Sequence, residues 1–367
     1  MSYNWELSDW PRFTYQTDHL LQDLLMFQQQ AGTTRGLVEG GPGENRELLQ
    51  VELLIREAMK TSAIEGEFLS REDVSSSILN QLGAQLPHTP PKDQRSIGIG
   101  EMVVDVRTTF KEPLSQEMLF HWHRLLMKGN RTINAGSWRS QSEPMQIVSG
   151  RVGHEIIHFE APPSDWIPDE MERFILWYNR SAPGRENSIL HPPIWAGLAH
   201  LYFESIHPFE DGNGRIGRAI AEKAISQGVG WPVLLSLSSV IEANRADYYA
   251  ALTSAQRTNQ VTEWLEYFLS VCLTAQQQAV ELVHFTLQKT RFFDRFRLLL
   301  SPREKKVVER MMAEGPQGFE GGMSARKYQS ITRVSKATAT RDLQRLVELG
   351  VFVPIGEGRS RRYELKM

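Results

Sequence analysis

Apolar residues recur at helical spacing through almost the whole chain, and one internal stretch alone departs from that period. "TDHLLQDLLMFQQQ" and "NRELLQVELLIREAMKTSAIEG" place apolar side chains three and four apart, and "HPPIWAGLAHLYFESI" is a strongly apolar helix. "EPMQIVSGRVGHEIIHFEAPP" instead alternates β-branched residues about a glycine-containing centre, which reads as a hairpin ending at Pro162 and Pro163. A chain patterned this way folds as a mainly α protein with a β-hairpin appendage.

Breaks in the period divide the chain. "GLVEGGPGE" interrupts the first helical run, and the second stops at Gly66. "SREDVSSSILNQLG" carries Ser70 as N-cap and Asp73 three residues later, an acid one carbon shorter than a full capping box requires. In "LPHTPPKD" three prolines remove donors and fix φ, so no helix continues through it. We therefore expect a helical domain over 1–93, a core over 94–275, a helical linker over 276–300 and a carboxy-terminal domain over 301–367; 367 residues accommodate two or three domains.

The longest apolar stretches, such as "WPVLLSL", fall far short of the roughly 20 residues of a membrane helix. The amino terminus has no basic-then-apolar signal pattern, so neither membrane insertion nor secretion is expected. Cys272 is the single cysteine, which excludes an intrachain disulfide and a cysteine metal cluster and fits the reducing cytoplasmic compartment. Charge is uneven: residues 301–367 carry a net +6, the remainder −9. A basic tail domain points to an anionic partner.

"HPFEDGNGRIGR", residues 207–218, concentrates the chemistry. Gly212 and Gly214 stand where a loop passes into a helix, so backbone N–H groups free of side-chain bulk make a hollow for an anion, with phosphate its natural occupant. Arg215 and Arg218 lie three apart on one face of that helix and suit a polyphosphate. Asp211 offers a hard oxygen to Mg²⁺. His207 is a candidate general base, because an imidazole titrates near neutrality.

The same residues match the signature of the Fic family, enzymes that mostly transfer AMP from ATP to a hydroxyl side chain of another protein. "INAGSWRSQ", the hairpin ending in "APP", "HPPIWAGLAHLYFESI" and "EANRADYYAAL" also resemble segments of the Fic core, in the expected order. The resemblance implies a helical Fic core with His207 as general base, Asp211 as Mg²⁺ ligand and Asn213 on the α-phosphate. Gly212 and Gly214 then line the anion hole, Arg215 and Arg218 hold the β- and γ-phosphates, and Tyr248 and Tyr249 lie near the adenine. The hairpin resembles the Fic flap, which takes up the target segment as an added strand. Ile147, Val148 and Ile157 are its expected target-binding residues.

"TSAIEG" fits the inhibitory pattern (S/T)xxxE(G/N) of Fic proteins, with Thr61, Glu65 and Gly66 at the defined places. Glu65 paired with Arg218 would deny that guanidinium to the γ-phosphate, which predicts autoinhibition. In some relatives this glutamate positions water to remove AMP, so either direction of reaction is open.

"LSPREKKVVERMMAEG" begins the tail as a Ser-Pro helix; "MSARKYQSITR", "VSKATATRDLQRLVELG" and "VFVPIGEGRSRRYELK" then read as helix, helix and strand-turn-strand. The order resembles a winged helix-turn-helix. Lys336, Thr338, Thr340 and Arg341 would face the major groove of DNA, while Arg359, Arg361 and Arg362 of the wing would grip phosphates. The same fold also serves self-association as a homodimer or docking of a substrate. Two function classes follow: a protein adenylyltransferase acting on a Ser, Thr or Tyr hydroxyl, its own included, or a DNA-binding regulator whose core senses a nucleotide.

Overall fold

A computed structural model describes residues 2–40, 43–83, 89–151 and 154–367. The chain begins with α1 (Leu21–Glu39), α2 (Gly43–Ile64), α3 (Arg71–Gln81), α4 (Gln94–Thr108) and α5 (Gln116–Leu126). A hairpin of β1 (Gln146–Arg151) and β2 (His154–Glu160) follows, then α6 (Ile167–Ser181), α7 (Pro192–Ile206) and α8 (Asn213–Val229). The rest is α9 (Leu237–Ala243), α10 (Arg245–Ala255), α11 (Thr262–Phe296), α12 (Pro302–Met312), α13 (Ala325–Thr332), α14 (Lys336–Glu348), β3 (Phe352–Ile355) and β4 (Arg362–Leu365). The fold is mainly helical, with small two-stranded antiparallel hairpins, as the periodicity predicts. Among the described residues no helix is long and apolar enough to cross a membrane.

By compactness the chain forms two units. One comprises 1–35 and 50–279, the other 36–49 and 280–367. In the first unit, side chains from the amino-terminal helices, such as Leu54, Ala58 and Ile78, share one core with Ile99, Trp122, Trp195 and Trp264. In the second, α12 to α14 and the β3–β4 hairpin enclose Val307, Met311, Tyr328, Leu343 and Leu346.

Local chemistry sets the boundaries. The Ser70 hydroxyl accepts from the Asp73 N–H and starts α3 as expected. The Asp73 carboxylate does not return to Ser70; it accepts from the Lys92 N–H and ties α3 to the proline-bearing segment, whose residues 86–88 lie outside the described ones. At Ser301 the longer Glu304 completes a full capping box.

α7 is buried on every side, which places it at the centre of its unit. Its broadest contact is with α8, so the loop between them is anchored at both ends by buried helices.

Two glycines show how tightly helices meet. A Cβ on Gly98 in α4 would overlap the Leu125 carbonyl of α5, whereas one on Gly32 in α1 meets nothing within 4 Å. Gly98→Ala is expected to lower stability by about 1–3 kcal/mol. Gly32→Ala is expected to raise it by up to about 1 kcal/mol. Urea-denaturation midpoints of the two variants check both signs.

Candidate functional site

α7 ends on a strained residue. His207 adopts the left-handed conformation at φ 51°, with its N–H donating to the Phe203 carbonyl, and non-glycine residues rarely hold that geometry unless their surroundings impose it. Arg139 imposes it. Its buried guanidinium donates to the carbonyls of His207 (2.8 Å) and Pro162 (2.5 Å), and its backbone N–H donates to the Pro208 carbonyl (2.9 Å). One residue thus joins the end of α7, the loop after it and the exit of the β1–β2 hairpin.

The loop closes on itself. The Asn213 side chain accepts from the Phe209 N–H (2.9 Å) and donates to the Phe209 carbonyl (2.8 Å), so its amide is committed to the loop's backbone. Phe209 is buried, its ring 4.1 Å between centroids from the imidazole of His123. Gly212 sits at φ 85°, and a Cβ there would strike Leu126 and Met127 at 2.7 and 2.8 Å. α8 then begins at Asn213, with its free N–H groups beside the two motif arginines.

Both arginines are buried and both are taken. Arg218 donates through Nε to the Thr61 hydroxyl (2.8 Å) and through Nη2 to the Thr61 carbonyl (3.0 Å) and Glu65 Oε1 (2.7 Å). Arg215 donates to Glu67 Oε2 (2.7 Å) and Asp211 Oδ1 (3.2 Å). Between the two acids Gly66 turns at φ 81°. A Cβ on Gly214 would collide with the Glu65 carboxylate, so glycine there is what lets the end of α2 come this close. Burial works against the charge of Arg218, but Glu65, Tyr248 and Glu204 raise its pKa above the ordinary value.

One donor on each arginine, Nε of Arg215 and Nη1 of Arg218, is buried without a partner. Spare buried donors at a helix amino terminus fit an anionic group such as a phosphate chain. Asp211 is half exposed and uses only Oδ1 in its bonds to Arg215 and the Gly212 N–H. It suits Mg²⁺, which takes one or two carboxylates plus phosphate oxygens. Among the described residues no cluster of three or more His, Cys, Asp or Glu side chains offers a metal site made wholly of protein.

A cavity of about 840 Å³ opens over the motif. It brings together Glu65, His207, Gly214, Tyr248, Tyr249, Ile147 and Val148 from the expected set, while Arg215, Arg218 and Thr61 are buried and do not line it. Tyr248 is buried and bonds His200 Nε2 through its hydroxyl (2.8 Å), so it offers the cavity a ring, whereas Tyr249 is exposed. In the hairpin Val148 pairs with Ile157, both exposed, after a bulge between Ile147 and Val148. Ile157 does not line the cavity. Positions 152 and 153 at the hairpin turn lie outside the described residues.

In the second unit Lys336, Thr340 and Arg341 are exposed on the first turns of α14. Thr338 is half-buried, and its N–H donates the capping bond to the Ser335 hydroxyl. Arg361 is exposed, and Arg362 donates to its carbonyl. The Arg359 side chain lies outside the described residues.

The sequence reading did not single out Arg139, Glu67 or Glu204. Arg139 lies inside the quoted "INAGSWRSQ", Glu67 stands two residues past Glu65, and Glu204 precedes His207 by one helical turn. Burial and the neighbouring Arg139 push the His207 pKa down to about 4, so the imidazole is neutral and able to accept a proton at pH 7. Burial likewise holds His123 and His200 near 4. Burial pushes the carboxyls of Glu204 and, on α8, Glu222 up to about 8.

These groups bend the pH dependence of stability in opposite senses. A histidine with a depressed folded pKa contributes stability above its unfolded value near 6.5, and loses it as pH falls towards 4. A carboxyl with a raised folded pKa contributes stability below about 4.5, and loses it as pH rises through 8. Stability is therefore expected to peak near pH 6.5. Urea midpoints at pH 5, 6.5 and 8 check it, and a monotonic series would contradict it.

Comparisons with known proteins agree with this geometry. Residues 113–225 match the model of the Fic/DOC family, and residues 3–84 match a domain of unknown function (DUF4172). The chain is similar to the protein adenylyltransferase Fic of Nematostella vectensis, 27% identical over 162 residues, which covers 43% of this chain and 33% of that one. With the same enzyme of Drosophila melanogaster it is 35% identical over 85 residues, 23% of this chain and 15% of that one. It thus spans a third or less of the length of these relatives. The fold resembles a Fic family protein from Desulfovibrio desulfuricans G20, at 23% identity and TM-score 0.57 over 97% of this chain and 98% of that one. It also resembles a Fic domain containing signaling protein from Bacteroides thetaiotaomicron VPI-5482, at 17% identity and TM-score 0.54 over 71% and 97%.

Proposed function

Because the chain belongs to the Fic/DOC family, we propose that it transfers AMP from ATP to a hydroxyl side chain of a protein, with Glu65 holding the reaction off. The observation that carries the reading is the pairing of Glu65 with Arg218, Glu65 lining the same cavity as His207. The names of the relatives, protein adenylyltransferases, support it.

In the forward step the hydroxyl oxygen of the target attacks the α-phosphorus while His207 accepts its proton. The bond to the β-phosphate bridging oxygen breaks, and pyrophosphate leaves with the electron pair. Amides at Gly212 to Gly214, with Arg215 and Arg218, hold the phosphates in line. Mg²⁺, held by Asp211 and phosphate oxygens, supplies charge neutralisation when bound. A two-stranded hairpin suits a target segment added as a strand, with Ile147, Val148 and Ile157 at its contact. Glu65 and Glu67 occupy the two guanidiniums that the β- and γ-phosphates need, so ATP binds productively only when this turn moves away.

Incubation with ATP labelled at the α- or the γ-phosphate tests the reading. Glu65→Gly is expected to raise α-label on protein at least tenfold, and His207→Ala in that background to cut it by about 10²- to 10⁴-fold. Label from the γ-position would indicate phosphoryl transfer instead. Binding without transfer would favour a nucleotide sensor, and loss of pre-attached α-label from protein would indicate the reverse reaction.

A second reading concerns the carboxy-terminal unit. Exposed Lys336, Thr340 and Arg341 at the start of α14, with Arg361 on the hairpin, favour DNA contact in the manner of a winged helix. Affinity of the full chain for duplex DNA is expected to fall steeply and linearly in log[salt]. Salt-indifferent self-association would instead assign this unit to dimerisation.

A further inference from the structure

The cavity wall holds a titratable group that the reaction above does not use. Glu204 lies in the last turn of α7, one turn before His207, and is buried. Its Oε2 stands 3.7 Å from His207 Nδ1, and both its Oε1 and that Nδ1 are buried without a hydrogen-bond partner. Unsatisfied buried polar atoms are rare and call for a physical reason. Here the unpartnered Nδ1 faces the other carboxyl oxygen, Oε2, and a movement of under about 1 Å would bring that pair to hydrogen-bond distance, while Oε1 lies toward Gly217. Gly217 of α8 keeps the space open, since a Cβ there would run into Glu204 Oε1 and come within 3.1 Å of the His200 ring.

We propose that Glu204 is a positioning residue for His207, its buried carboxyl selecting which imidazole nitrogen carries the proton. The inference rests on the reading of His207 as the base. As a carboxylate, Glu204 accepts from Nδ1–H and leaves the Nε2 lone pair free to take the proton of the target hydroxyl. As a carboxylic acid, it donates to Nδ1, so that Nε2 carries the hydrogen and accepts none.

The surroundings determine which form is present. The charged and titratable groups around Glu204 are Glu65 at the end of α2, Arg218 on α8, His200 and His207 on α7, and Tyr248 on α10. Burial is the largest influence and, with the like charge of Glu65, favours the acid; Arg218 opposes them. Withdrawing Glu65 removes a like charge and leaves the positive charge of Arg218 less neutralised, and both changes favour the carboxylate. Glu65 therefore acts on the base through Glu204 as well as on the phosphate site through Arg218.

The test uses the full chain with ¹⁵N-labelled histidine, His207 being assigned by its loss in His207→Gln. Long-range ¹H–¹⁵N spectra at pH 7 are expected to show Nε2–H in the wild type and Nδ1–H in Glu65→Gly. Adding Glu204→Gln, which keeps the shape but cannot ionise, is expected to abolish that response. In the Glu65→Gly background, Glu204→Gln is expected to lower kcat about 10- to 100-fold with KM for ATP little changed, and to shift the acidic limb of the pH profile. Gly217→Ala, whose Cβ displaces the carboxyl, is expected to give the same split. The same His207 tautomer with and without Glu65, or an unaltered kcat and pH profile in both variants, would overturn the proposal. If Glu65→Gly transfers no AMP at all, the function proposed above fails, while the spectra still decide the role of Glu204.

Discussion

The buried guanidinium of Arg139 is the fixture on which the rest of the site depends. A left-handed histidine has a conformational cost, and backbone carbonyls turned inward at a helix end need donors. Arg139 meets both demands by bonding the carbonyls of His207 and Pro162 at once. Position of the His207 backbone, direction of the loop and seat of the hairpin are consequently not independent. The anion hollow at the start of α8 exists because this clamp and the Asn213 amide bring the chain round in six residues between two buried helices.

Against that rigid frame the contact between α2 and α8 is built to be reversible. Glu65 and Glu67 are each about 30% exposed, so water screens their pairing with Arg218 and Arg215 on one side. The arginines, in contrast, are nearly inaccessible, and stripping them of carboxylates without supplying another anion would leave buried charge unpaired. A polyphosphate is such an anion. The arrangement favours exchange of one anion for another over simple opening, so on the function proposed a nucleotide and this turn compete for the same two guanidiniums.

Much of this was legible in the residues. The helical period, the Ser70 cap and the alternating hairpin are local signals, and local signals survive in a sequence. His207, Gly214 and Glu65 were readable because a motif fixes their spacing. What escaped was whatever depends on where helices cross. Arg139 lies 68 residues from the carbonyl it holds, and nothing local marks it as buried. Asn213 also braces the loop with both ends of its amide, a second role that its place in the motif does not announce. Glu67 looks like an ordinary exposed acid until α8 is set beside it. Glu204 shares a helix turn with His207, but its lack of a partner emerges only from packing.

The turn at Gly66 has a consequence of its own. Its two flanking acids hang from a single pivot of backbone, and each grips a different buried cation on a neighbouring helix. On the function proposed, drawing this segment away parts two ion pairs rather than one, so each acid adds to the hold of the other.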